Sequence, residues 1–296
     1  MEKPLVNFKQ ERDFGDIFNG AFIFIGQEFK RLATVFLYYV VPMLILTAIT
    51  STIYSLKAQE FMQNITSVTS NSNDPMAVFS QMGPFYGNML IYILFWLLAQ
   101  TMMVTILYSY IKLYVQSGPD GFSVNDVWSL GRKNFLKLFF ASIIIGILIM
   151  FGMIFCFIPG IYLAIALSMM IPVIVFEEEG LSNGFSRAFK LIKSKWWFTL
   201  GVLIVAVIIV YILSILLSVP AMVMGFKSML FKLKQTEEAG LNFSVGFYVF
   251  NSITNLLTQI IQVIPIVVTA FLYYSFVEEK EKVSLLEKID EINEDA

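Results

Sequence analysis

The chain has 296 residues, 57% of them hydrophobic and 14% charged, with a net charge of −2 and a mean hydropathy of +0.75. It is far more apolar than a water-soluble domain and lacks the basic excess that binding nucleic acid requires. Histidine is absent and Cys156 is the single cysteine, which excludes His-based acid–base work, Cys–His nucleophiles, Cys/His metal centres and disulfides within the chain. Neither a metal nor an organic cofactor is expected.

The first sixteen residues, MEKPLVNFKQERDFGD, are too charged for a cleavable signal peptide, so the first span is expected to act as an uncleaved anchor. That span is 32–56, interrupted only by Pro42. The loop from Lys57 to Gly83, containing NITSVTSNSNDP, is polar and reads as external. A second uncharged run ends at Ile111, its span proper beginning near Phe85. After a basic linker comes Leu138 to Phe176, 39 residues without a charge. As one helix it would be about twice as long as a bilayer is thick. Pro159-Gly160 stands at its middle, and proline ends one helix yet suits the first turn of another. Two spans follow, 138–157 and 160–176, joined by a tight turn, with Pro172 bending the second. A fifth span covers 196–220. A polar stretch with Lys227, Lys232 and Lys234 leads to the sixth, 248–277. The tail, 278–296, reads as a charged helix with Leu285, Ile289 and Ile292 on one face.

The expected fold is therefore an all-α membrane protein with six transmembrane helices and amphipathic interfacial linker helices, one polytopic domain over 1–277. Basic residues set its orientation. The N-terminal segment, the 112–137 and 187–195 linkers and the tail hold 16 of the 20 lysines and arginines; the other set has only Lys57, Lys227, Lys232 and Lys234. Both termini are expected in the cytoplasm, and the Pro159 turn outside.

Three segments share a design: DIFNGAFIFIGQEFKRL (16–32), SVNDVWSLGRKNFLKL (123–138) and LSNGFSRAFKLIKSKWW (181–197). Phe22, Trp128 and Phe189 are each followed seven residues later by Phe29, Phe135 and Trp196. Seven residues is about two helical turns, so each pair shares a face, with cations close to the second ring. Such helices suit the headgroup plane, inclined to the spans they precede. Candidate lipid contacts are Arg132, Lys133, Arg187, Lys190, Lys193, Trp128, Trp196 and Trp197.

The expected spans contain no Asp, Glu, Lys or Arg, which counts against an ion-coupled carrier. Glu177-Glu178-Glu179 reads as a helix stop before Gly180, with Glu178 or Glu179 pairing with Arg187 or Lys190. On the sixth span Asn251, Asn255, Gln259 and Gln262 draw a polar stripe. It is either helix-packing glue or, with Gln100 and Thr101 opposite, the wall of a polar cavity. Ser142 with Gly146, and Ala164 with Ser168, have the small-xxx-small spacing of closely packed helices.

The stretch PGIYLAIALSMMIPVIVFEEEGLSNGFSRAFKLIKSKWW, with DFGDIFNGAFIFIGQEFKRL near the N-terminus, resembles the membrane domain of glycerophosphoryl diester phosphodiesterases and related bacterial multi-span membrane proteins. In those enzymes catalysis belongs to a separate soluble barrel, and no stretch here is long enough to be one. The resemblance implies a stand-alone membrane domain. The expected function is that of a non-enzymatic protein of a bacterial inner membrane, a scaffold or lipid-associated partner of other membrane proteins. The alternative is a permease component for a neutral or lipid-like molecule.

Overall fold

The computed structural model describes residues 5–71, 75–155, 157–233 and 245–282. Its elements are all helical: α1 (Phe14–Val35), a π-helical turn (Phe36–Val40), α2 (Val41–Asn71), α3 (Pro75–Ser117), α4 (Val124–Phe155), α5 (Phe157–Leu167), α6 (Met170–Phe176), α7 (Leu181–Ile192), α8 (Trp196–Leu233), α9 (Val245–Ile261) and α10 (Val263–Glu281). The chain is an all-α, multi-pass membrane protein. Six stretches are long and apolar enough to cross a bilayer: Phe14–Ile65, Met82–Ser117, Val124–Phe155, Phe157–Phe176, Trp196–Phe226 and Val245–Glu281.

Prolines set most of the breaks, because each removes one i→i−4 hydrogen bond and crowds the carbonyl four residues back. Pro42 follows the π-helical turn, which absorbs the mismatch with Tyr38. Pro172 lies in the first turn of α6, and the helix is interrupted four residues earlier, at Ser168-Met169. Pro265 does the same to the expected sixth span, which is two helices, α9 and α10, parted at Gln262. Pro220 has no such effect: α8 runs through it to Leu233, beyond the expected end.

The chain forms two compact units: residues 1–40, 101–210 and 262–296, and residues 41–100 and 211–261. In the first, α1 packs on α10, α4 on α5, and α6 on α7. Its core is aromatic. Phe8 stacks on Phe271 with ring centroids 4.1 Å apart and meets Phe24 edge-on at 5.1 Å. In the second unit α2 packs along α9, and Ser252 is hydrogen-bonded to both Ser51 at 2.9 Å and Thr52 at 2.7 Å.

The structure corrects two expectations, on the linker helices and on the small-residue contact. Of the repeated linkers, 16–32 lies in α1 and leads into α2 through the π-helical turn, and 181–197 gives α7 with Trp196 and Trp197 already in α8; residues 124–155 form one unbroken α4, because no proline or glycine stands between Asn134 and Ser142. In α1 the side packed on the protein is Ile17, Ala21, Phe24, Glu28 and Leu32, while Phe22 and Phe29 lie on the outer surface, where acyl chains rather than the bundle would meet them. The close approach of α4 and α5 falls at Gly152 and Gly160, where a Cβ on Gly152 would stand 2.9 Å from the Gly160 Cα; Gly146 has open space around it.

Candidate functional site

In the first unit the break after Phe176 gathers side chains from four helices, α3, α4, α7 and α10. Three consecutive side chains diverge around a turn, so the three glutamates take different partners. Glu177 receives the Arg187 guanidinium through Nε, 3.0 Å from both carboxylate oxygens, and the Tyr273 hydroxyl at 2.8 Å. Glu178 receives Lys112 at 2.7 Å, with Lys133 at 4.0 Å. The Glu179 carboxylate accepts from Asn183 at 2.8 Å, and its backbone carbonyl accepts from Lys137 at 3.0 Å. Arg187 thus pairs with Glu177, not with Glu178 or Glu179 as expected. It also pairs with Glu281 on the last turn of α10.

Lys112 is the member the sequence did not reveal. It stands one residue past the expected end of the second span. It is 5% exposed and donates to the Val175 carbonyl at 2.9 Å as well as to Glu178. Glu178 itself adopts a left-handed backbone, φ 58°. The hydrogen bond and charge of Lys112 hold its carboxyl below the usual carboxylate range, with Lys133 adding to the effect. Burial opposes the charge on Arg187, but Glu281 and Glu177 outweigh it and raise the guanidinium above its ordinary value. Away from the turn a buried carboxylate, Glu28, accepts from the Tyr110 hydroxyl at 2.6 Å. The 17, 21, 24, 28, 32 spacing on α1 is the signal that would have found it.

Beside this network lies a hollow of about 560 Å³ lined by Ile158, Ile161, Tyr162, Lys193, Ser194, Trp196, Trp197 and Leu200. Tyr162 stacks on Trp196 at 5.8 Å, and Trp196 meets Trp197 edge-on at 4.7 Å. Three of the sequence-predicted lipid contacts, Lys193, Trp196 and Trp197, therefore come together, and Trp197 is 77% exposed. The others are dispersed. Trp128 stacks on Tyr39 at 4.8 Å, Arg132 and Lys190 are exposed, and Lys133 and Arg187 belong to the carboxylate network. The Pro159 turn, expected a bilayer away from the 187–195 linker, shares the hollow with it.

In the second unit Gln100 donates to Gln259 at 3.3 Å, Asn251 is half-buried and Asn255 is exposed. A groove of about 370 Å³ runs between α2 and α9, but along Val249, Ser252, Ile253 and Leu256. No stripe residue lines it. In the first unit Gln262 is half-buried at the α9–α10 break, and Thr101, Thr105 and Ser109 form a buried hydroxyl row on α3. Among the described residues no group of three or more Asp, Glu or Cys side chains is placed to hold a metal ion. The hollow sets one cation, Lys193, beside the aromatic faces of Tyr162, Trp196 and Trp197, at a boundary between polar and apolar surface.

Compared with known proteins, the chain matches no family model, no curated protein and no solved structure.

Proposed function

We propose that the protein is a non-enzymatic, lipid-associated scaffold of a bacterial cytoplasmic membrane, whose partners are membrane lipids and other membrane proteins rather than nucleic acid. The observation that carries this reading is the hollow at the start of α8. Lys193 supplies a cation at its rim, and Tyr162, Trp196 and Trp197 supply ring surface. A headgroup phosphate is attracted to the ammonium while the first acyl carbons lie on the rings. Helix α7 suits the same plane as an amphipathic helix: Gly184, Ala188, Leu191 and Ile192 are buried, and Ser182, Asn183, Ser186 and Lys190 are exposed. The lysine and arginine distribution supports a cytoplasmic position for both termini. The resemblance to the membrane domain of glycerophosphoryl diester phosphodiesterases supports a domain that works beside catalytic partners.

The test is tryptophan quenching by chain-brominated phospholipids in nanodiscs. An anionic brominated lipid is expected to quench at a lower mole fraction than a zwitterionic one. Lys193→Ala should abolish that difference, and Trp197→Phe should reduce the quenched signal. Equal quenching by both lipids in the unaltered protein refutes a headgroup-selective site.

A further inference from the structure

We infer that α4 and α5 form an apolar arm that dips into one leaflet and returns to the face it came from, instead of crossing the bilayer twice. The argument begins with α10, whose buried residues Val267 to Phe276 pass through the core of the first unit. Arg187 and Lys195 pair with Glu281 and Glu279, and the Lys190 and Leu191 carbonyls accept from Lys280. A stretch about 12 Å long thus meets three consecutive residues of α10, which occupy about 3 Å of its axis. The Arg187–Lys195 segment lies across the end of α10.

Helices α6 and α5 follow that crossing segment in the opposite direction. Ile174 of α6 packs on Gly184, where a Cβ would be 2.9 Å away. Tyr162 of α5 lies 6.3 Å from Phe189 and 5.8 Å from Trp196. At the far end of this pair Glu177 takes Tyr273, and Lys137 of α4 reaches the Glu179 carbonyl. The anchors at both ends of the α5–α6 pair therefore fall between Tyr273 and Glu281, eight residues or about 12 Å along α10. A crossing needs about 30 Å. Helices α5 and α6 together have the length for a crossing, but their anchors stand too close in level to make one.

The arm is nonetheless built for hydrocarbon. No charged residue occurs from Leu138 to Phe176, and Phe140, Ile147, Phe151, Phe155, Phe157 and Ile158 are all exposed. Water would penalise that surface heavily. Acyl chains of a single leaflet satisfy both the surface and the anchoring. The occupant of this exposed face is thus lipid, approached from the side on which Lys193 and Lys195 stand.

Two measurements on the full chain in liposomes test this, each in a Cys156→Ser background. Nitroxide labels at Ile158→Cys and Lys193→Cys should give one short separation by pulsed EPR, well under the bilayer thickness, as should Tyr162→Cys with Trp197→Cys if the first pair disturbs folding. A separation near or above about 30 Å means a crossing and overturns the inference. A fluorophore at Ile147→Cys or Ile158→Cys should be quenched more by lipids spin-labelled near the headgroup than near the chain terminus. Strongest quenching of position 147 by the chain-terminal label overturns it as well. Neither outcome depends on headgroup preference, so the arm and the lipid-selective hollow fail or stand separately.

Discussion

The buried Lys112 ammonium and the exposed Glu178 carboxylate form a 2.7 Å ion pair that fastens the end of α3 to the turn after α6. The asymmetry of exposure makes the two partners unequal. Removing the glutamate leaves a cation in a desolvated site with one carbonyl for company, whereas removing the lysine leaves a carboxylate that water can reach. Glu178→Gln is therefore expected to lower stability by about 1–2 kcal/mol, the range for a weakened bond to a buried polar group, read as a fall in Tm in detergent. Lys112→Met should cost less. Glu178→Gly should fall between them, because glycine relieves the left-handed φ while losing the pair. If Lys112→Met proves the most damaging of the three, the cation is a net stabiliser and this ranking is wrong.

The same pair predicts an acid response. A carboxyl whose folded pKa lies below its unfolded value stabilises the fold above the unfolded pKa, and that contribution is lost as pH falls through the folded one. The Tm of the unaltered protein should hold from neutrality to about pH 5 and drop below about pH 4. Glu178→Gln should start lower and show a shallower acid drop. Parallel curves for the two proteins would show that other carboxylates govern the acid limb.

Gly152 and Gly146 offer a matched test of helix packing. A methyl group at Gly152 meets the Gly160 backbone, which cannot move aside as a side chain would, so Gly152→Ala should destabilise by about 1–3 kcal/mol. Gly146→Ala, facing open space in a helix, should be neutral or stabilising by up to about 1 kcal/mol. Thermal melts of the two variants in the same detergent decide the matter.

On α1 the side that matters is carried by Phe24. Phe24→Ala should cost about 3–5 kcal/mol, as for a large buried aromatic, and Phe29→Ala, at an exposed position, under about 0.5 kcal/mol. Similar losses from both would show that the exposed ring contributes as much as the buried one.

Sidedness is testable with reporter fusions. Fusions at the N-terminus should report the cytoplasm and fusions after Lys57 the opposite face, as the basic residues direct. Because the α4–α5 arm adds either two crossings or none, the two termini share a side in either case. A cytoplasmic signal after Lys57 would contradict this orientation.

The apolar runs and Pro159-Gly160 made the helical, membrane-embedded class legible, because hydropathy and proline act locally. What stayed hidden depends on distant partners. Lys112 looked like the first residue of a basic linker, since only the Val175 carbonyl and Glu178, some 63 and 66 residues away, make its burial tolerable. On α1 the 17, 21, 24, 28, 32 row is hidden in the sequence by Glu28, whose burial depends on the distant Tyr110 hydroxyl. The tail helix expected over 278–296 lies, from residue 283 onward, outside the described residues, as do Cys156 and the segment around Lys234.

The Phe8 cluster also imposes an order of assembly. Phe8 stacks on Phe271, and the Arg12 backbone N–H donates to the Ser275 hydroxyl at 3.0 Å, across 263 residues of chain. A ribosome delivers the first of these segments long before the last. Until α10 has emerged the N-terminal residues have no seat, and Phe24 and Tyr114 lack the ring that closes over them. The final helix therefore completes a lock whose other half was made first. A truncated chain that stops before Phe271 leaves those aromatic surfaces open to chaperones and membrane proteases.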